Sequence, residues 1–188
     1  MTGNVEVDET YIAITERGKP RSKVGRKSHT NKTLVAVAVE ILDPKGFGRI
    51  RLKRIRADSE RYVLPFVRGV VAPGSEVHTD GSAAYRSLPE KGYRHKRHVM
   101  AGSDAPAHAS MPAVHRVASL VKRWLLGTHH GAVQPDQLDY YLDEFVFRFN
   151  RRTSRSRGML FYRLLEQAVL TEPVTYQDIA GGLGPTPA

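Results

Sequence analysis

Two aspartates carry the chemistry that this sequence suggests first. Asp8 stands in "NVEVDETYI" (residues 4–12) and Asp80 in "VHTDGSAAY" (77–85), each in or at the end of a strand-like run. Two carboxylates brought together resist joint ionisation unless a cation sits between them. A hard divalent ion with oxygen ligands, Mg²⁺ or Mn²⁺, resolves that conflict. Two such ions about 3.5–4 Å apart would clamp the attacking and leaving oxygens of an in-line phosphoryl transfer. Each aspartate also has a plain structural reading. Asp8 shares its strand parity with Glu6 and Thr10 and so reads equally as a solvent-face residue. Asp80-Gly81 reads equally as a turn.

The elements that must position this pair follow from hydrophobic periodicity. "NVEVDETYIAI" (4–14) alternates and reads as a strand. "TLVAVAVEIL" (33–42) is a continuous apolar run, suited to a strand buried on both faces. "GRIRLKRIRA" (48–57) is a third strand, with a bulge expected where the alternation slips at Lys53-Arg54. "DSERYVLPFVRGVV" (58–71) reads as a helix opened by Asp58 or Ser59 and tolerating Pro65. A short strand at 75–81, a short helix and turn, a strand at 94–100 and a small polar loop at 101–112 come next. Three helices close the pattern, at 112–131, 134–152 and 157–170. In "GTHHG", Gly127 and Gly131 are expected to break the first of these, and the adjacent His129 and His130 point apart, so they share no metal. The order is β-β-β-α-β-α-β-α-α-α. It predicts an α/β, RNase H-like mixed sheet: a three-stranded antiparallel meander plus parallel strands, with helices on both faces and a C-terminal helical extension. Residues 1–170 form the expected domain and 171–188 a flexible tail. In such a sheet the strands of Asp8 and Asp80 are neighbours.

Bulk composition narrows the partner. The 188 residues carry 29 Lys and Arg against 19 Asp and Glu, a formal net charge of +10, which favours a polyanion and nucleic acid first. The chain has no cysteine, which excludes disulfides and cysteine-ligated zinc within it. No apolar run reaches the length of a membrane span, and the N-terminus has no signal-peptide pattern, so a cytoplasmic setting is the default expectation. Six basic residues fall between Arg17 and Lys27 in a Gly- and Pro-containing loop, and further clusters lie at 49–56, 94–97 and 148–157. These would hold phosphates without reading bases. The named candidates are Lys19, Arg21, Lys23, Arg26, Lys27, Lys122, Arg123, Arg148, Asn150, Arg151 and Arg152. The aromatics between Tyr140 and Phe149 read as packing rather than as base-stacking residues.

Together, "VEVDETYI", "VHTDGSAAY", "LVKRWLLGTHHGAV" and "LDYYLDEFVFRFNRR" make the chain resemble the ISXO-like insertion-sequence transposases, of the DDE type, from about residue 4 to about residue 170. The resemblance implies metal-dependent strand cleavage and strand transfer at transposon ends, on two Mg²⁺ or Mn²⁺ ions. It implies DNA as the partner, both transposon ends and target, with a homo-oligomer assembled on DNA in or near the bacterial nucleoid, and no membrane. Asp8 and Asp80 match the first two metal-binding positions. The third, a Glu or Asn in most of these families, lies seven residues before a helical lysine; here the lysine is Lys122 and the residue is His115. The implied set is therefore Asp8, Asp80, His115 and Lys122, with His115 departing from an all-oxygen site. His115, Ser119 and Lys122 share one helix face by their spacing. His115 reads as a third ligand, as a proton shuttle or phosphate contact, or as a surface histidine in an inactive copy. Members of the group usually carry an N-terminal cysteine-rich zinc ribbon, and this sequence has no cysteine, so a catalytic domain, a truncated copy or a reading frame started late is expected. Two other functions stay open: an inactive DNA-binding remnant, and an RNase H-like nuclease or resolvase.

Overall fold

The structure, a computed structural model, describes residues 1–15, 31–44, 46–98, 110–131 and 133–180. The basic stretch holding Lys19, Arg21, Lys23, Arg26 and Lys27 lies outside the described residues, as do most of loop 101–112 and the tail from residue 181.

The three predicted strands form β1 (Asn4–Ala13), β2 (Lys32–Ile41) and β3 (Phe47–Ile55), an antiparallel meander. After α1 (Glu60–Val70), β4 (Glu76–Thr79) returns parallel to β1, and β5 (Arg94–Arg97) adds parallel to β4. The predicted short helix between them is two 3₁₀ turns, Ala83–Tyr85 and Pro89–Lys91. Four helices follow: α2 (Pro112–His129), α3 (Leu138–Asn150), α4 (Arg157–Ala168) and α5 (Tyr176–Ala180). The sheet order is β3-β2-β1-β4-β5, which puts β1 at the centre with Asp8 on it.

Helices on both faces explain the apolar run of β2. Leu34, Ala36 and Ala38 pack with Val5, Val7 and Val77 against Val63, Phe66 and Val67 of α1. Val35, Val37 and Val39 pack with Ile50 and Leu52 against Val114, Val117, Val121 and Leu125 of α2 and Leu138 and Leu142 of α3. Period-2 alternation sends successive β2 residues to the two cores, and both are dry.

The slip at Lys53-Arg54 is not a bulge. Lys53, Arg54 and Ile55 pair in unbroken register with Ala36, Val35 and Leu34. Ile55 belongs to the α1 core, while Arg54 turns to the other face. There its guanidinium pairs with Asp139 at 2.7 Å and donates to the Pro135 carbonyl at 2.6 Å. An arginine at a core-facing position looks like a phase error in sequence and is an ion pair in space. The register shift falls at the opposite end of β3. Phe47 and Ile50 pair with Ile41 and Val39, so Gly48 and Arg49 stand opposite the single residue Glu40. The Glu40 side chain lies where a Cβ on Gly48 would be, and accepts the Arg49 N–H at 3.1 Å. A Cβ at 48 would push the Glu40 carboxylate out of that hydrogen bond.

The helix α2 also runs through Gly127 and ends at His130 (φ 51°) and Gly131 (φ 69°), both left-handed. Gly127 is not a breaker; helix packing on Leu125 and Val133 outweighs its propensity of about 1 kcal/mol.

The outer edge of β3 is sealed by the end of α3. Asn150 accepts the Ile50 N–H at 2.7 Å and donates back to the Ile50 carbonyl at 3.1 Å, as a neighbouring strand would. The Arg152 guanidinium donates to the carbonyls of Phe47 and Gly48 and lies 4.0 Å over the Phe149 ring. Asn150→Ala leaves a strand N–H and C=O without partners and is expected to cost about 1–3 kcal/mol in urea unfolding. Its effect on the salt dependence of DNA binding should be negligible, which separates an edge seal from a phosphate contact.

Candidate active site

β1 and β4 bring the two aspartates to one place. Their parallel register ends with Glu6 paired to His78; Asp8 and Asp80, each two residues further on, lie near enough for Asp80 to raise the Asp8 pKa. Both point to the α2 face, the side of Ile12 and Val37. Asp80 Oδ1 accepts the Ser82 N–H at 2.8 Å across the left-handed Gly81 (φ 90°), and Asp8 Oδ1 accepts the Glu9 N–H at 2.8 Å.

The electrostatics show how crowded this edge is. Burial pushes the Asp8 carboxyl up to about 6; the Glu9 N–H opposes this, Asp80 and Asp58 add to it, and His115 pulls it down. Asp58, just after β3, is itself raised by burial and by Asp80, and its carboxylate is 3.5 Å from the Ser82 hydroxyl. Glu9 projects to the opposite face of β1, where the Tyr85 hydroxyl donates to it. Burial, with Asp58, Asp8 and Asp80 nearby, lifts Glu9 to about 8 against that hydrogen bond. Four carboxyls thus converge where a basic protein has its centre.

Helix α2 is fixed to β1 at both ends. Glu6 is 6% exposed, and its Oε2 accepts the Ala113 and Val114 N–H groups at 2.8 and 3.0 Å. A carboxylate from another element thereby caps the helix and meets the positive end of its dipole. Burial raises the Glu6 pKa against these two hydrogen bonds and the nearby His78 and His115. At the far end, Thr15 donates its N–H to Val133 O at 2.6 Å and its hydroxyl to Gly131 O at 3.1 Å. The lengths agree: about nineteen residues of helix and about nine of strand each span roughly 30 Å.

This mounting sets His115 and Lys122. His115 follows the capped Val114 directly and is near enough to Glu6 and Asp8 to lower both their pKa values. Lys122 leans back toward the helix start, as helical side chains do. Partial burial and Lys32 depress its pKa, while Asp8 raises it. Asp8, Asp80, His115 and Lys122 therefore share one edge. Among the described residues, no three His, Asp or Glu side chains form a ready metal cage. The donor chemistry still suits a hard divalent cation: Asp8 and Asp80 offer oxygens, and their mutual repulsion is what a cation relieves.

Of the remaining sequence candidates, Arg123 is exposed on α2 and Arg148 is ion-paired with Glu144 at 2.6 Å. Arg151 lies 3.9 Å over the Phe147 ring and, with Arg49, Arg51 and Asn150, lines a groove of about 510 Å³ between β3 and α3. A second groove, about 720 Å³, lies beside Asp58 and is lined by Tyr11, Lys32 and Arg56. His129 stacks on Tyr141 at 3.9 Å and meets Trp124 edge-on at 5.1 Å. Sequence reading missed Glu6, Glu9, Asp58 and Tyr85. Glu9 and Tyr85 lie inside the two quoted aspartate motifs, which was the available signal.

With the geometry in place, the comparisons have a clear meaning. The family model of the ISXO2-like transposase domain matches residues 1–150, so the chain belongs to that DDE transposase family. No curated protein matches its sequence. Among solved structures it is similar to the catalytic core domain of BIV integrase, with a TM-score of 0.51 and 15% identity. That match covers 91% of this chain and 100% of the integrase core. The likeness establishes the fold: the integrase-like, RNase H-like sheet expected from the element order.

Two outcomes follow. Glu6→Ala removes the cap and leaves two buried N–H groups unpaired, and should lower the unfolding free energy by about 2–3 kcal/mol. Glu6→Gln, which keeps an acceptor, should recover part of the loss. The raised Glu9 contributes stability that is full below its ordinary value of 4.5 and is lost as pH rises through about 8. In chelator-treated protein, Glu9→Gln should therefore gain on wild type by roughly 2 kcal/mol between about pH 5 and pH 8. Urea unfolding at each pH reads both effects.

Proposed function

We propose that this domain cleaves DNA at insertion-sequence ends and joins the freed strand to a target, using divalent metal. The observation that supports the reading is the proximity of Asp80, His115 and Lys122 to Asp8, each of which acts on or feels its charge where β1 and β4 run parallel. Asp8 and Asp80 would hold Mg²⁺ or Mn²⁺, two ions in the full complex, with His115 as the third member. What the cations add when bound is positive charge at the scissile phosphate. Lys122 would contact a phosphate of the terminal nucleotide, and the two grooves lined by Arg49, Arg51, Arg151, Lys32 and Arg56 would carry the backbone on either side. Lys19, Arg21, Lys23, Arg26, Lys27 and Arg123 would extend that track. Arg148 and Arg152 have partners within the protein and would contribute less. A homo-oligomer on DNA would present one site to each end.

The test is cleavage and joining on pre-nicked transposon-end DNA, first with Mn²⁺ and then with Mg²⁺. Asp8→Ala and Asp80→Ala should each cut joined product by roughly 10³-fold or more, and His115→Ala by a comparable factor if it ligates metal. Lys122→Ala should lose about 10–100-fold, mainly through weaker DNA affinity. Asp58→Ala serves as a comparison, since Asp58 lies on the same edge. A wild type that binds DNA tightly without metal-dependent cleavage would be a remnant. Cleavage without joining would make it a nuclease.

A further inference from the structure

Among the described residues, nothing covers the apolar side chains of the last described segment. Among the described residues, nine of the twelve large apolar side chains left exposed fall between Met159 and Tyr176. None belongs to either core, and α4 has no buried residue. On α4, Tyr162, Leu165 and Val169 follow helical spacing and form one stripe, with Phe161 beside it; they are 61%, 44%, 80% and 60% exposed. Isolated exposed leucines mean little, but a continuous patch of this kind marks an interface.

The charges in the same stretch say what fits it. Every charged residue from Arg151 to Arg163 is an arginine, and every one from Glu166 to Asp178 is acidic. Reflection through the midpoint between Leu164 and Leu165 exchanges Arg163 with Glu166 on α4, and Arg157 at its start with Glu172, just past its end. A two-fold axis imposes that exchange, because it sets two identical helices antiparallel and makes residue i meet j while j meets i. A polyanion would find acid over half the segment. An antiparallel second copy sets acid opposite Arg157 and Arg163, while Arg152 and Arg155 fall opposite Gln177 and Val174.

We infer that α4 and the residues after it are a self-association surface on which two copies pair antiparallel, with the apolar stripe between them and arginine ends against acidic ends. The association needs neither DNA nor metal and does not rest on the activity proposed above. It would hold two catalytic domains together before any DNA is bound.

Sedimentation velocity of the 188-residue chain without DNA or divalent metal tests this. A reversible monomer–dimer equilibrium is expected. Leu165→Glu with Val169→Glu should raise the dissociation constant about 100-fold or more. Circular dichroism should be unchanged, and so should the unfolding midpoint at concentrations where the wild type is itself monomeric, because neither residue joins a core. Among the described residues Arg157 and Glu172, at the start of α4 and past its end, form no ion pair with each other within one copy. Arg157→Glu alone should weaken the dimer roughly tenfold, and Arg157→Glu with Glu172→Arg should restore most of that loss. The inference is overturned by a monomer at about 100 µM, where mass action favours any moderate dimer. It is equally overturned by association indifferent to Leu165 and Val169, by a double swap that restores nothing, or by dimers that form only when DNA is added. Loss of strand transfer with the dimer intact would count against the proposed activity alone.

Discussion

Glu6 is the residue on which the site's geometry depends. Its carboxylate, inside the sheet–helix interface, takes the first two free N–H groups of α2 and so fixes where the helix begins over β1. Two residues along the same strand face is Asp8, and one residue along the helix is His115. A single carboxylate oxygen accepting both N–H groups therefore determines how the strand's metal-binding candidate and the helix's stand to each other. A buried acid is costly alone and strongly stabilised by two backbone donors. That balance makes the start of α2 a position the fold cannot shift by one residue without stranding charge.

The second constraint is repulsion. Asp8, Glu9, Asp58 and Asp80 converge where the sheet opens, and burial and mutual charge raise the pKa values of the first three. The basic residues lie around this centre, on β3, α2, α3 and the start of β2, rather than in it. A polyanion is drawn to the rim, while the middle calls for small hard cations. The opposed signs suit the proposed function, in which phosphate and metal would meet at this edge.

Much of this was legible in order. Alternation and the both-faces run of β2 led to the sheet, and the element order to its topology, because these patterns depend on local geometry. The Asp8–Asp80 pairing followed once the strands were known to be neighbours. Glu6 was not legible: it shares parity with Asp8 and so reads as solvent-facing, and its partners lie over a hundred residues away. The β3 bulge was misplaced for a related reason, since an arginine facing the core resembles a slip until Asp139 is placed opposite it. Asn150 and Arg152 have the chemistry of phosphate ligands, and the same donors and acceptors serve a strand edge equally well. Polar side chains declare what they can bond to; only the fold decides to what.

The matched spans of β1 and α2 carry a further consequence. Because the helix is pinned to the strand at Glu6 and again at Thr15, the chain joining β5 to α2 does not determine where His115 sits. Neither does the chain joining β1 to β2. A change of length in either connection is therefore expected to leave the relation of Asp8 to His115 as those two contacts set it. Evolution could vary what the domain touches at the ends of this pair while leaving unaltered the tool held between them.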